Sequence, residues 1–112
     1  MVENLYPPAS PALKQLRQAL APETNNAFVA FSKSVFRNGA LDVKVKQLIA
    51  VAVAHVTQCP YCIRGHTAQA LGAGATREEV MEAIWIAVEM RAGAAVAHSN
   101  LAVDVMIGVG DK

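Results

Sequence analysis

Cys59-Pro60-Tyr61-Cys62-Ile63-Arg64-Gly65-His66 holds both cysteines of the 112-residue chain and one of its three histidines. Two thiols three residues apart can close one intramolecular disulfide, so the pair can store two electrons. Proline suits the first turn of a helix, where its missing N–H costs nothing. Pro60 therefore predicts a helix that starts within the stretch, with Cys59 as N-cap and Cys62 in the first turn. A thiolate there meets unpaired backbone N–H groups and the positive end of the helix dipole, which lowers a thiol pKa. Cys62 and His66 are four apart and share one face of that helix. Imidazole both accepts and releases a proton near neutral pH, as thiol chemistry requires.

Other readings of the stretch compete with a catalytic dithiol. Cys-x2-Cys-x3-His supplies three zinc ligands, but the fourth must come from elsewhere, and no second Cys-x2-Cys exists. A structural disulfide would close only a tiny loop and stabilise little. Two cysteines that merely pack are common enough, yet the proline, the second thiol and His66 together argue against coincidence. The reading calls for no metal and no cofactor.

Composition bounds the rest. The length fits one domain, with residues 1–11 as an N-terminal arm and 12–112 as a single helical domain. Apolar residues make up 54% and charged ones 17%. So small a chain buries a modest fraction of its surface, so this apolar load predicts self-association. A net charge of +1, no basic cluster and 5% aromatics give nucleic acid nothing to bind. The longest unbroken apolar run, Leu48 to Ala54, is far too short to span a bilayer. Met1-Val2-Glu3-Asn4 lacks the basic-then-apolar order of a signal peptide. The expected setting is cytoplasmic, without a membrane partner, where a lone Cys-x2-Cys is redox-active more often than structural.

Read in order, the chain predicts about six helices and no sheet. Ser10 caps a short helix with Pro11 at its first position and Leu13, Leu16 and Leu20 at helical spacing. Pro22 opens a second, to about Arg37, whose Phe28, Phe31, Val35 and Phe36 read as core packing; Gly39 ends it. Asp42 caps a third, to about Thr57, apolar on every side through Leu48 to Ala54 and so expected to be buried. Gln47, Val51 and His55 fall at steps of four on one face that leads toward Cys59, which makes Gln47 and His55 candidates for the site. The motif helix runs to about Leu71, with Gly72 and Gly74 after it. Thr76 and Glu79 make a capping box for the fifth, with Val80, Ala83, Ile84, Ala87 and Val88 as its core stripe. Glu82, Trp85 and Glu89 fall on another face, and Gly93 separates a sixth helix, about Ala94 to Ile107. That helix carries His98, which reads as a packing or surface residue.

This reading settles the fold. Cys-Pro-Tyr-Cys is also the active-site tetrapeptide of glutaredoxins, whose fold needs strands around the motif. Here the flanking segments read as helices, so an all-α bundle is expected, with any shared chemistry arising by convergence.

The wider pattern resembles the carboxymuconolactone decarboxylase family, and within it the alkylhydroperoxidase D-like branch. The matching residues are Lys46-Gln47-Leu48-Ile49-Ala50, Cys59-Pro60-Tyr61-Cys62, His66, Ala70, and Gly72-Ala73-Gly74-Ala75-Thr76 with Glu78-Glu79. The apolar helix to Met90 and Gly93 also fit, so the resemblance spans roughly residues 28 to 107. It implies an all-helical homo-trimer or homo-hexamer. It further implies a thiol-dependent peroxidase or disulfide reductase acting on a small hydroperoxide, with a dithiol electron donor. Carried across, Cys62 attacks peroxide, Cys59 resolves it as a disulfide, and His66 joins a proton relay with a glutamate on the preceding helix. That position is Gln47 here, and an amide cannot pass a proton as a carboxylate does. Pro60 and Tyr61 stand where some members have a histidine between the cysteines, and His55 is the candidate substitute base. Capping points the other way from the family on one matter, favouring the lower pKa at Cys59; attack on peroxide is expected at Cys62, with Cys59 left open for disulfide exchange. Decarboxylase chemistry fits less well, because the true decarboxylases do not work through this dithiol. A non-catalytic thiol sensor or assembly module is the alternative of a different class.

Overall fold

The computed structural model describes residues 5–110, so the reading of Met1 to Asn4 lies outside the described residues. The chain is all-α: α1 (Pro11–Leu20), α2 (Pro22–Phe36), α3 (Val43–Thr57), α4 (Pro60–Gly72) and α5 (Arg77–Val109), with no strand among the described residues. It divides after Val43 into two compact units.

The first unit is α1 and α2. Ser10 caps α1, its Oγ accepting the Leu13 N–H at 3.3 Å. Both helices carry proline in their first turn. Side-chain amides link them: Gln18 donates to Asn26 Oδ1 at 2.8 Å and accepts from Asn25. Neither helix buries a residue. The phenylalanine stripe expected to form core does not do so within this chain. Phe28 is 66% and Phe31 63% exposed, their rings tilted against each other with centroids 6.3 Å apart.

The second unit holds the motif. Its small core is Val51, Ala70, Ala75 and Val80, with Leu48 and Ile84 packed against it. Val51 of α3, Ala70 of α4 and Val80 of α5 meet in it. α3 was expected to be buried on all sides; it buries Gln47, Val51 and Ala54, while Ile49, Val53 and Val56 are exposed. One chain supplies partners for one face of that apolar rod only. The Val43 N–H at its start is accepted by Asn38 Oδ1 at 2.9 Å. The fifth helix has the full capping box, Thr76 Oγ1 accepting the Glu79 N–H and Glu79 Oε1 accepting the Thr76 N–H. Lys44 pairs with Glu79 at 3.0 Å, and Arg91 donates to the Val56 carbonyl at 2.9 Å, tying α5 to both ends of α3.

Gly93 does not separate two helices. α5 runs unbroken for 33 residues, making five helices rather than six. A helical glycine costs about 1 kcal/mol relative to alanine, and Ala94-Ala95 follow it without a capping side chain or a proline. The glycine that does leave helical geometry is Gly74, at φ +98°, just after α4. Val80, Ala83 and Ala87 of the predicted stripe are buried and Ile84 packs against the core cluster, but Val88 is exposed. Beyond Gly93 every described residue of α5 is exposed, including Val96, Leu101, Met106 and Ile107.

Candidate functional site

The cysteines sit where two helices meet with almost no loop. Cys59 N–H donates to the Ala54 carbonyl at 3.2 Å, five residues back, and Gln58 takes φ +58°. That is the left-handed turn that closes a helix, usually given to glycine. The same Cys59 is the N-cap of α4: its Sγ accepts the Cys62 N–H at 3.2 Å. One residue therefore ends α3 through its N–H and begins α4 through its sulfur.

Cys59 and Cys62 are free thiols, both partly buried, with Sγ atoms 2.6 Å apart. A single proton between the two sulfurs can serve either. The Cys62 amide breaks the tie, because it points at Cys59 and favours an anion there. The Cys62 thiol and then its backbone N–H pull the Cys59 pKa below the ordinary thiol value. The Cys62 thiol is raised, first by its hydrogen bond with Cys59, then by burial and by the neighbouring charge. The capping argument from sequence is thus met in the geometry.

Gln47 and His66 come together across the hairpin of α3 and α4. His66 Nδ1–H donates to Gln47 Oε1 at 2.7 Å, and Gln47 is 2% exposed. The Gln47 Nε2 donates in turn to Gln69 Oε1 at 3.0 Å. Gln69 was not singled out in the sequence. Its signal was there, three residues after His66 and so on the same side of α4. His66 follows Cys62 by one turn of α4, which puts its imidazole on the thiol's side of the helix.

His55 behaves differently. Its Nδ1–H donates to its own helix, to the Val51 carbonyl at 2.7 Å, and it makes no hydrogen bond to either cysteine or to Gln47. No group of three or more potential ligands able to hold a metal occurs among the described residues. The arrangement can store and release two electrons at the sulfurs, with an imidazole anchored one turn away.

A model of the carboxymuconolactone decarboxylase family matches residues 22–104. A protein of Paracoccus denitrificans described as uncharacterized protein 4 in cox locus is 58% identical over 106 residues, covering 95% of each chain. A carboxymuconolactone decarboxylase family protein from Legionella pneumophila has a similar structure, with TM-score 0.65 and 38% identity over 70% of this chain and 72% of its own. A family protein from Thermotoga maritima, whose description raises an involvement in antioxidative response, matches with TM-score 0.58 and 31% identity, over 77% of this chain and 89% of its own.

Proposed function

The chain belongs to the carboxymuconolactone decarboxylase family, and from that premise we propose that it is a dithiol oxidoreductase that reduces a small hydroperoxide. The observation that carries this reading is the pair of free sulfurs 2.6 Å apart at a capped helix start. Cys59 thiolate attacks the peroxide; the O–O bond breaks, leaving a sulfenic acid on Cys59 and an alkoxide that takes a proton. The Cys62 thiol then attacks that sulfur, a disulfide forms and water leaves. His66, one turn on, takes the proton that Cys62 gives up and returns it to the departing oxygen, which leaves as water. The two electrons lost by the thiols reduce the peroxide, and an external dithiol restores the pair. A cytoplasmic setting, where thiols are kept reduced, suits free cysteines. Mild peroxide should convert the pair to one intramolecular disulfide, read by mass spectrometry, with peroxide consumed repeatedly once a dithiol donor is added. Thiols that stay free, or only bonds between chains, would sink the reading.

One observation favours a second reading. Gln47 stands at the glutamate position of the relay, so a thiol sensor that oxidises and recovers without sustained turnover also suits the site. The same peroxide assay separates the two, since a sensor consumes one equivalent and stops.

The reading includes a homo-oligomer, a trimer or hexamer. α3 and α5 leave Ile49, Val53, Val96 and Ile107 exposed within the chain, and copies of the chain are the natural cover for such faces. By length and composition α5 also passes for a membrane span. Its capping box, its Arg91 anchor to α3 and its Glu82 and Glu89 suit a packed helix of an assembly better. Light scattering at micromolar concentration should show a particle of at least three chains; a monomer would refute this.

A further inference from the structure

We propose that Gln69 is a positioning residue: acting through Gln47, it fixes the tautomer of His66, holding the proton on Nδ1 and the lone pair on Nε2.

The argument rests on what an amide can present. Gln47 has one accepting atom and one donating group, on opposite sides of a planar head. It is 2% exposed, so no water reorients it freely. Its Nε2 is 3.0 Å from Gln69 Oε1, and its Oε1 is 2.7 Å from His66 Nδ1. Once the Gln47 NH2 donates to Gln69, the oxygen must face the imidazole. An oxygen there only accepts, so Nδ1 of a neutral His66 must carry the hydrogen. With Gln69 Oε1 as the acceptor, turning the Gln47 amide over would set its oxygen against Gln69 Oε1, a repulsive contact, and its NH2 could then meet Nδ1 only in the opposite tautomer. The orientation of the chain of three is therefore decided at its Gln69 end. Gln69 and His66 hang from the same helix, three residues apart, and Gln47 bridges them from α3. The bridge is closed on one rigid element, which holds all three heads in register.

A neutral histidine in water favours the proton on Nε2, so the arrangement opposes the intrinsic preference. The hydrogen bond made by one ring nitrogen sets the role of the other. Here it makes Nε2 the proton-accepting atom, and it does so without a carboxylate. The use of that atom toward Cys62 rests on the reading given under Proposed function; the tautomer does not.

The test is a long-range proton–nitrogen correlation spectrum of the full reduced chain, labelled with nitrogen-15. The His66 signal is identified by its loss in His66→Gln. Wild type should show the Nδ1–H pattern for His66. Gln69→Leu removes the acceptor, frees the Gln47 amide, and should shift His66 to a mixture containing the Nε2–H form. Gln69→Glu keeps an acceptor and should retain the wild-type pattern. Gln69→Lys offers a donor instead and should drive the proton to Nε2, a second route if the leucine variant does not fold. A wild-type His66 with its proton on Nε2 would overturn the proposal. So would an unchanged pattern in Gln69→Leu, or its loss in Gln69→Glu, since a merely structural role would not separate these variants. Failure of peroxide turnover leaves these signals readable, so the two readings fail separately.

Discussion

Cys62→Ser should still react once with peroxide, stopping at a sulfenic acid on Cys59, whereas Cys59→Ser should react more slowly at neutral pH. Only the thiolate is nucleophilic. Cys59 Sγ accepts the Cys62 N–H, and the serine hydroxyl in Cys62→Ser can still donate to it. In Cys59→Ser the remaining thiol loses the Cys59 hydrogen bond and charge that raise its pKa in the wild type and keeps only the raising effect of burial. The faster variant is therefore the one whose remaining thiol holds the lower pKa, and Cys62→Ser is expected to lead. The Cys62→Ser rate should fall only as pH drops through the lowered Cys59 value, below the range where an ordinary thiol loses its charge. Stopped-flow oxidation with a sulfenic-acid trap, followed by peptide mapping, reads the attacking sulfur directly. A trapped Cys62 in Cys59→Ser, with Cys62→Ser silent, would return the attack to Cys62, as the family assignment has it.

Gln47→Glu is expected to accelerate peroxide turnover. The variant puts a carboxylate 2.7 Å from His66 Nδ1 if the geometry holds, and so stabilises the imidazolium that forms when Nε2 takes a proton. General acid–base catalysis is typically worth about a hundred- to ten-thousand-fold, so a partial repair should still give roughly tenfold or more. The new carboxylate oxygen then calls for the Gln69 NH2 in place of its oxygen. Stability should acquire a pH dependence of definite sign. A His66 that holds its proton more tightly when folded contributes stability that is complete below the unfolded histidine pKa of about 6.5. That contribution is lost as pH rises through the higher folded value, where the buried glutamate is left unpaired. Thermal melts at about pH 5.5 and about pH 8.5 should therefore diverge in the variant. If the turnover rate is unchanged and His55→Ala abolishes it instead, the imidazole that matters is the one on α3.

Much of the site was legible because it depends on short spacings. Pro60 and the two cysteines fixed the cap, and the step of four from Cys62 fixed the side on which His66 lies. Gln47 could be placed on the right face of α3 from its spacing to Val51, and the structure shows it bonded to His66. His55 shares that spacing, yet its ring turns back to the Val51 carbonyl. Periodicity gives the face of a helix but not which polar atom a side chain finds. Gln69 was missed because amides carry no chemistry of their own; their role emerges only once a buried partner needs orienting. The helices were readable from caps and prolines, except at Gly93, where a glycine without a capping partner was given more breaking power than its small cost warrants. The phenylalanines of α2 and the outer faces of α3 were read as core because an apolar stripe says that something covers it, not whether the cover is the same chain.

The dual role of Cys59, closing one helix and opening the next, reaches into redox thermodynamics. Its sulfur is a strong acceptor for the Cys62 N–H as a thiolate and a weaker one in a disulfide. Oxidation thus weakens the cap on α4, and folding favours the reduced pair over the oxidised one. By linkage, whatever stabilises the reduced form of a dithiol raises its reduction potential. If the pair turns over as proposed, the oxidised form is thereby the one an external dithiol re-reduces more readily.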